Sequence, residues 1–403
     1  MSKEVKSAEV DSRIKCEVCG AMVHSIQHHL KADHSAEGTA IVTLEEYQAK
    51  WPEAPLMSQL AIQKIAEQRK AREAASVSAD SAVGFATELQ PFHEVFSLGR
   101  GAATMGASGN PIPVTVIKSL DPAFQELVPD VDPNYVFNID VLKTLLMGLE
   151  LRIPVYLWGH AGTGKTTIYE QIAARTGRPM LRVQHTANME EEHVIGGWRL
   201  RDGRTVFELG PLSMAMKFGW TYLADEYDFG RPEVLSVYQS VLEGKPLVIK
   251  EADSENRIIR PHPNFRFIAT GNTNGQGDET GLYQGTSMQN AANYERFGIV
   301  EKMPYMEPAV EAALVSKQAK ISVADAKKLV DFANRIRGEF ESSKLSNPIS
   351  PRSLIFAGRI GIARLNYLIG LEKAYLNRLT SIDREAATQL ANIAEKPWIS
   401  VGP

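Results

Sequence analysis

A glycine-rich segment, GHAGTGKT at residues 159–166, carries the residue types that bind phosphate. Its glycines let backbone N–H groups curl around phosphate oxygens, its lysine neutralises charge, and its threonine hydroxyl can ligate Mg²⁺. The segment follows the apolar run VYLW and precedes a helical pattern, the context that a phosphate-binding loop (P-loop) requires. We therefore expect a nucleoside triphosphate and Mg²⁺ here, held by Gly159, Gly162, Thr163, Gly164, Lys165, Thr166 and Thr167.

Polar side chains end two further apolar runs. TYLAD ends in Asp225, which is expected to hold Mg²⁺ together with Thr166, and the next residue, Glu226, is the candidate base for the attacking water. FRFIATGN ends in Asn272, a neutral amide that can orient that water or the terminal phosphate. Each alone would read as a strand end or a turn, but the order P-loop, acidic strand and polar strand end predicts phosphoanhydride hydrolysis.

Two arginines could complete such a site, because cationic donors stabilise charge that develops during phosphoryl transfer. Arg296 lies in NYERF before the expected last strand, and Arg352 lies in SPRS at the expected start of a helix. For either arginine alone, a solvated surface residue is the ordinary alternative.

The elements that must position these residues alternate along the chain. Apolar β-type runs at residues 155–158, 180–183, 221–224 and 265–269 alternate with helical patterns at 166–176 and 233–243. This alternation predicts an α/β core with a parallel sheet over residues 114–306, and the purely helical periodicity that follows predicts a helical subdomain over 307–403. Small residues predict a helical or flexible linker over 53–113.

Four soft or borderline metal ligands cluster near the start of the chain, within an expected module at residues 1–52. They offer one closed tetrahedral Zn²⁺ site. Nine residues separate the cysteine pair, which ends at Cys19, from the histidine pair, which begins at His29. Ordinary fingers of this type have about twelve residues there, so His24 and His28 are alternative ligands. An unmetallated polar tail is the alternative to a site formed by Cys16, Cys19, His29 and His34.

Composition excludes some classes of protein. The chain has 403 residues, a formal net charge of −4 and a sequence pI near 6.2, which argue against a nucleic-acid coat or a membrane-surface protein. No apolar run approaches the roughly 18 residues that span a bilayer, and the first residues lack the apolar core of a secretory signal. A cytoplasmic location is expected.

A long stretch from about Val128 to Ile299 resembles the AAA+ subunit of aerobic cobaltochelatases, within the MoxR and magnesium-chelatase clade. The segments that carry the resemblance are GTGKTTIYEQIAARTGRP, DEYDFGRPEV, RIIRPHPNFRFIATGNT and GDETGLYQGT. It implies an αβα ATPase core of the AAA+ P-loop class, a helical lid, ATP bound between subunits of a ring with six copies expected, and partnership with a von Willebrand A-type or chelatase-type protein.

By position, the resemblance implies roles for the same polar residues. Lys165 and Thr166 resemble Walker A, and Asp225 and Glu226 resemble Walker B. Asn272 resembles sensor 1, and Arg296 resembles the arginine finger. Arg352 resembles sensor 2, a residue that acts in cis or in trans.

Residues 16–51 resemble the bacterial Ros/MucR zinc-finger regulators, which implies structural zinc. Whether the finger docks on nucleic acid or on protein stays open, since one finger has a small footprint. The leading hypothesis is a ring motor that remodels a partner protein, with metal chelation undecided. The alternatives are a nucleic-acid-directed ATPase and a nucleotide-switched scaffold with negligible turnover.

One further pattern, WRLRDGRTVFE, places two β-type runs around Asp202 and Gly203. An Asp-Gly pair between such runs is a strong two-residue hairpin signal. We expect a hairpin insert near residues 196–210. Similar ATPases carry an insert of this kind in the second helix, where it faces the ring's pore or a partner; a surface hairpin without a mechanical role is the alternative.

Overall fold

The computed structural model of the protein describes residues 13–33, 43–64, 85–106, 109–278 and 280–393. The chain divides into two compact units, Met1–Val83 with Met105–Pro111, and Gly84–Thr104 with Ile112–Pro403. We call them the N-terminal unit and the ATPase unit. Within the described ranges, no helix combines the length and the apolar character needed to cross a membrane.

The N-terminal unit contains two short strands and two helices. They are β1 (Ile14–Lys15), β2 (Met22–Val23), α1 (Ile26–Asp33) and α2 (Leu44–Lys50). The strands pair antiparallel, and Thr43 and Glu46 form a reciprocal capping box that starts α2. The chain after α2 also packs here, because the backbone N–H of Ile26 donates to the carbonyl of Leu56 at 2.9 Å. The unit therefore reaches beyond the expected boundary at residue 52.

The centre of the ATPase unit is a parallel five-stranded sheet, as the sequence predicts. Its strands, in spatial order, are β13 (Ile299–Lys302), β5 (Val155–Trp158), β12 (Arg266–Gly271), β9 (Thr221–Asp225) and β6 (Met180–Gln184). The other strands form two-stranded ribbons: β3 (Ala86–Pro91) with β4 (Pro113–Ser119), β7 (Gly196–Arg201) with β8 (Arg204–Leu209), and β10 (Leu247–Val248) with β11 (Ile258–Ile259).

Helices cover the sheet and continue past it. Those between Phe85 and the last sheet strand are α3 (Phe92–Val95), α4 (Ile139–Leu151), α5 (Lys165–Thr176), α6 (Glu192–Ile195), α7 (Pro211–Phe218), α8 (Pro232–Leu235), α9 (Gln239–Leu242) and α10 (Ala291–Tyr294). The helix expected over 233–243 is interrupted, because a 3₁₀ turn at Ser236–Tyr238 separates α8 from α9. The core under the sheet packs α3, α4 and α5 against β5 and β12.

The structure differs from the expected linker over residues 53–113. Strands β3 and β4 pair along their length, and Phe92 and Phe96 are buried in the same core as α4 and α5. Residues 85–104 therefore belong to the ATPase unit. Two aromatic anchors outweigh the small-residue composition around them, since each removes a large apolar area from water. Residues 65–84 of the expected linker lie outside the described residues.

The helical subdomain predicted after residue 307 is confirmed. It consists of α11 (Pro308–Ala319), α12 (Val323–Glu341), α13 (Pro351–Ala363), α14 (Tyr367–Ala374) and α15 (Ser381–Ile393), which share one apolar core. A buried ion pair joins Arg337 to Glu311 through two hydrogen bonds of 2.7 Å. The side chain of Ser350 caps α13 and Pro351 occupies its first turn, which fixes where this helix begins.

Candidate functional site

The P-loop connects β5 to α5 at the carboxyl edge of the sheet. Gly162 and Gly164 have φ angles of +79° and +94°, a region that favours glycine because it has no Cβ. A Cβ on Gly162 would lie 2.7 Å from the Cβ of Ser350, so the P-loop packs closely on the start of α13. The backbone N–H groups of this turn and the N-terminal end of α5 are the donors that phosphate oxygens require.

Lys165, the first residue of α5, is buried. Its Nζ donates to the carbonyls of Gly159 at 2.7 Å and His160 at 3.1 Å, and to Oδ1 of Asn272 at 3.0 Å. Burial lowers the pKa of Lys165 to about 8, against the opposing effect of nearby carboxylates. The site therefore holds a desolvated cation whose charge an anionic ligand would stabilise.

Asp225 ends β9, and both of its carboxylate oxygens have partners. Oδ1 accepts hydrogen bonds from Thr166 Oγ1 at 2.9 Å and from Thr270 Oγ1. Oδ2 accepts from Arg182, through Nε at 2.7 Å and a terminal guanidinium nitrogen at 2.6 Å. Arg182 lies on β6, next to β9 in the sheet. Sequence reasoning did not identify this arginine.

Glu226 follows Asp225 and is bound by another side chain of β6. Its φ of +52° places a non-glycine residue in the left-handed region, which costs about 1–3 kcal/mol and is typical of functional sites. Gln184 Nε2 donates to Glu226 Oε2 at 2.6 Å, and the backbone N–H of Glu226 donates to Thr270 Oγ1 at 3.3 Å. The direction of this carboxylate is therefore set by β6 and β12.

Asn272 follows β12 and is held by a buried carboxylate. Oδ2 of Asp228 accepts the backbone N–H groups of Asn272 and Thr273, both at 2.8 Å, and the Thr273 hydroxyl at 3.0 Å. Burial raises the pKa of Asp228, and these hydrogen bonds oppose that effect. Asp228 lies in the segment DEYDFGRPEV, yet its contact with residues forty-odd positions away cannot be read from the sequence.

The two arginines occupy different surroundings. Arg296, just after α10, makes its polar contacts away from Lys165: Nε binds Glu243 Oε1 at 2.7 Å and the guanidinium also binds the carbonyl of Ala292. Arg352, in the first turn of α13 as predicted, is exposed and lines a cavity of about 480 Å³ together with Gly162. The structure thus brings Arg352 to the P-loop of its own chain and places Arg296 elsewhere.

The residues present suit a nucleoside triphosphate with Mg²⁺. The positive φ angles of Gly162 and Gly164 curl the backbone as a phosphate-binding loop requires, and the hydroxyl of Thr166 and the carboxylate of Asp225 are hard oxygen donors of the kind that Mg²⁺ takes. Glu226 and Asn272 lie beside this pair at the same sheet edge. Mg²⁺ held by Thr166 and Asp225 would neutralise charge on the phosphates, while the protein would position the nucleophile.

The insert near residues 196–210 is a hairpin, β7–β8, with a two-residue turn. Asp202 and Gly203 have φ angles of +49° and +76°, as a type I′ turn requires. Trp198 and Leu200 expose 44% and 76% of their surface, which is unusual for large apolar residues. The mechanical role expected for this hairpin stays a prediction.

Three of the expected zinc ligands lie together in the N-terminal unit. The donor atoms of Cys16, Cys19 and His29 all lie within 4.8 Å of one another, and Cys19 Sγ is 3.1 Å from His29 Nε2. His34 lies outside the described residues. Among the described residues, neither alternative histidine joins this cluster, since His24 Nδ1 binds Ser58 Oγ at 2.9 Å and His28 is exposed.

Comparison with known proteins agrees with this geometry. Residues 154–287 match the family described as AAA domain (dynein-related subfamily), and residues 311–368 match the family described as CbbQ/NirQ/NorQ C-terminal. The aerobic cobaltochelatase subunit CobS of Sinorhizobium sp is 37% identical over 239 residues, which cover 57% of this chain and 71% of that protein.

Two further relatives are similar over most of their own length. Protein CbbQ of Hydrogenophilus thermoluteolus is 27% identical, covering 62% of this chain and 89% of that protein. Protein NorQ of Paracoccus denitrificans (strain Pd 1222) is 28% identical, covering 60% of this chain and 85% of that protein. The chain belongs to the AAA+ ATPases of the MoxR, CbbQ, NorQ and CobS clade, and its P-loop unit is an ATPase.

Proposed function

We propose that the chain is a ring-forming motor, with six copies expected, that couples ATP hydrolysis to the remodelling of a partner protein. Lys165 and the P-loop N–H groups bind the phosphates, and Thr166 and Asp225 hold Mg²⁺. Glu226 polarises the attacking water and Asn272 orients it. The observation that carries this proposal is the convergence of these groups at the carboxyl edge of one parallel sheet.

Arg296 serves the site of a neighbouring copy. Its guanidinium contacts Glu243 and Ala292 and makes no hydrogen bond to its own P-loop within the described residues. A cationic donor that is absent from its own site, in a chain whose other catalytic groups are assembled, fits a donor supplied in trans. Arg352 acts in cis, because it lies beside Gly162 of its own P-loop.

The partner is a von Willebrand A-type or chelatase-type protein. This part of the proposal is supported by relatives whose names include a cobaltochelatase subunit, and by the exposed apolar side chains of the β7–β8 hairpin. Leu200→Ser in that hairpin is expected to preserve basal hydrolysis and to abolish stimulation by a purified von Willebrand A-type partner protein. Stimulation that survives in this variant would contradict the hairpin contact.

A mixing experiment tests the shared site. Arg296→Ala and Glu226→Gln each lose hydrolysis, by about 10²-fold or more, while binding ATP normally. Mixed in equal amounts, the two variants are expected to regain part of the activity, because a Glu226→Gln copy lends its Arg296 to a neighbour with an intact Glu226. The trans assignment fails if the mixture stays inactive although the copies co-assemble. The motor proposal fails if the wild type binds ATP but never hydrolyses it, with or without the partner.

We also propose that the N-terminal unit binds one structural Zn²⁺ through Cys16, Cys19, His29 and His34. The donor atoms of the first three lie within 4.8 Å of one another, with Cys19 Sγ 3.1 Å from His29 Nε2, so one ion could contact all three at ordinary zinc–ligand distances of about 2.0–2.3 Å. Metal analysis of the purified full-length chain is expected to give one zinc per copy. His29→Ala should lose it and His24→Ala should keep it. Retention of zinc in His29→Ala would contradict this ligand set.

A further inference from the structure

The hydroxyl group of Tyr283 contacts the P-loop directly. It accepts a hydrogen bond from the backbone N–H of Ala161 at 3.1 Å and lies 3.0 Å from Nδ1 of His160. Burial lowers the pKa of His160, which favours the neutral ring, and in the tautomer that carries its proton on Nε2 the Nδ1 atom accepts the hydroxyl proton. The tyrosine therefore uses both its donor and its acceptor on two consecutive residues of the phosphate-binding turn.

Tyr283 lies beside residues of the expected nucleotide site. It lines the same cavity of about 480 Å³ as Gly162 and Arg352. It also belongs to the segment that starts at Asn272, whose side chain binds Lys165 at 3.0 Å. Backbone N–H groups of a P-loop donate hydrogen bonds to phosphate oxygens. A bound phosphate would therefore compete with the Tyr283 hydroxyl for the hydrogen bond from the Ala161 N–H.

The segment around Tyr283 is held in place by its own contacts. The backbone N–H of Tyr283 donates to Asp278 Oδ2 at 2.7 Å, and the Thr286 hydroxyl donates to the carbonyl of Tyr283 at 2.9 Å. Farther along, the backbone N–H of Ser287 donates to the carbonyl of Asp228, the residue that also holds Asn272. The hydroxyl is thus presented to the P-loop by a fixed turn.

We propose that Tyr283 is a specificity residue that binds the terminal phosphate of ATP through its hydroxyl group and so distinguishes ATP from ADP. When a phosphate oxygen takes the Ala161 N–H, the hydroxyl turns its single proton from Nδ1 of His160 to the phosphate, and the imidazole, in its other tautomer, donates from Nδ1 to the hydroxyl oxygen. ADP lacks the terminal phosphate and gains nothing from this hydroxyl. The inference rests on the proposed function, since it concerns the same nucleotide site.

Equilibrium binding tests this inference without relying on turnover. Both nucleotides are measured by competition against a fluorescent ADP analogue, in the Glu226→Gln background so that ATP persists. Tyr283→Phe removes only the hydroxyl and is expected to weaken MgATP about tenfold, while MgADP stays within about twofold. The inference is overturned if the ratio of the two affinities is unchanged, whether both stay constant or both fall together.

Tyr305→Phe is a matched control. Tyr305 stacks on the same His160 ring, with centroids 5.9 Å apart, but its buried hydroxyl has no hydrogen-bond partner among the described residues. Its removal is expected to leave both affinities unchanged. If the Glu226→Gln protein binds neither nucleotide, the proposed function fails. If it binds both, and Tyr283→Phe leaves the ratio of the ATP and ADP affinities unchanged, only the role of Tyr283 fails.

Discussion

The nucleotide site and the N-terminal cysteine-histidine cluster depend on their ligands in different ways. The nucleotide site rests on a five-stranded sheet with a large core that includes Phe92, Leu145 and Ile168. Among the described residues, four fully buried side chains form the core around the cluster: Cys16, Ile26, Leu30 and Tyr47. A large core holds polar groups in place before any ligand binds, whereas we propose that a core of this size is completed by a metal ion, which would offset the entropy of folding.

The two regions also differ in what binds their polar and charged side chains. In the ATPase unit, the buried carboxylate of the nucleotide site has protein partners, since Asp225 accepts hydrogen bonds from Thr166 and Arg182. In the N-terminal unit, two sulfur atoms and an imidazole lie together, and the proposed Zn²⁺ would bind them with the cysteines as thiolates. The first site is built to receive a ligand, and the second is expected to require one.

The largest expected effect is the loss of the N-terminal fold when metal is removed. Structural zinc contributes about 10–16 kcal/mol to the folding of small modules. Chelation, or Cys16→Ala, should make the full-length chain rapidly cleavable by trypsin after Lys15 and Lys50. The ATPase unit should stay resistant and keep its basal hydrolysis. An N-terminal unit that resists trypsin without metal would remove the contrast between the regions.

The next largest effect concerns Lys165, whose buried charge lowers the stability of the ATPase unit and strengthens ATP binding. Because burial lowers the pKa of this lysine to about 8, the folded state disfavours its charged form at pH 7. Lys165→Met should raise the free energy of unfolding of the ATPase unit by about 1–3 kcal/mol. ATP affinity should fall on the order of a hundredfold, since charged hydrogen bonds are lost. Urea unfolding and nucleotide titration measure the two effects.

The exposed Lys344 provides the control, and Lys344→Met is expected to change neither quantity appreciably. If Lys165→Met destabilises the ATPase unit instead, the hydrogen bonds of Lys165 hold the P-loop together. The nucleotide site would then depend on this side chain for its shape.

Much of the nucleotide site could be predicted because its signals are local. The P-loop, the strand that ends in Asp225 and the turn at Asp202 each depend on residues adjacent in sequence, and the structure has them where they were predicted. The start of α13 was also predictable, since Ser350 and Pro351 are a cap and a first-turn proline.

The missed residues act through long-range pairing. Arg182 and Gln184 alternate on β6, so they share one face of the strand, but only the register of β6 against β9 brings them to Asp225 and Glu226. Tyr283 reaches Ala161 across more than a hundred residues. One signal was available for the strand residues: polar side chains at the carboxyl end of a parallel strand lie at the edge that carries the P-loop.

A smaller effect concerns His185, a buried histidine next to the nucleotide site. His185 is buried behind Asp225, with Nε2 2.8 Å from the Tyr238 hydroxyl, and burial lowers its pKa to about 4. Below the unfolded pKa of about 6.5, the unfolded chain binds the proton that the folded chain rejects. His185 therefore lowers stability by up to about 1.4 kcal/mol per pH unit as pH falls from 6.5 toward 4.

The measurement is the difference in unfolding free energy between the wild type and His185→Gln at pH 7.5, 6 and 5. At pH 7.5 the wild type should be the more stable protein, since its imidazole keeps the bond to Tyr238. The difference should shrink as pH falls, because only the wild type loses stability through this group. A difference that is independent of pH would show that the imidazole titrates normally in the folded state.

The smallest effect lies at the ion pair between Arg182 and Asp225. Half of the Arg182 side chain is exposed, so solvent weakens its influence on a nearby cation. Arg182→Gln removes a like charge from beside Mg²⁺ and frees Oδ2 of Asp225. The Mg²⁺ concentration for half-maximal binding should therefore fall about threefold, measured as Mn²⁺ competition in the ATP-bound Glu226→Gln background. Arg199→Gln, on the hairpin, is the charge-matched control. If Arg182→Gln instead weakens Mg²⁺, then Arg182 holds Asp225 in its binding orientation, and this edge of the site depends on a partner as strongly as the N-terminal cluster depends on its metal.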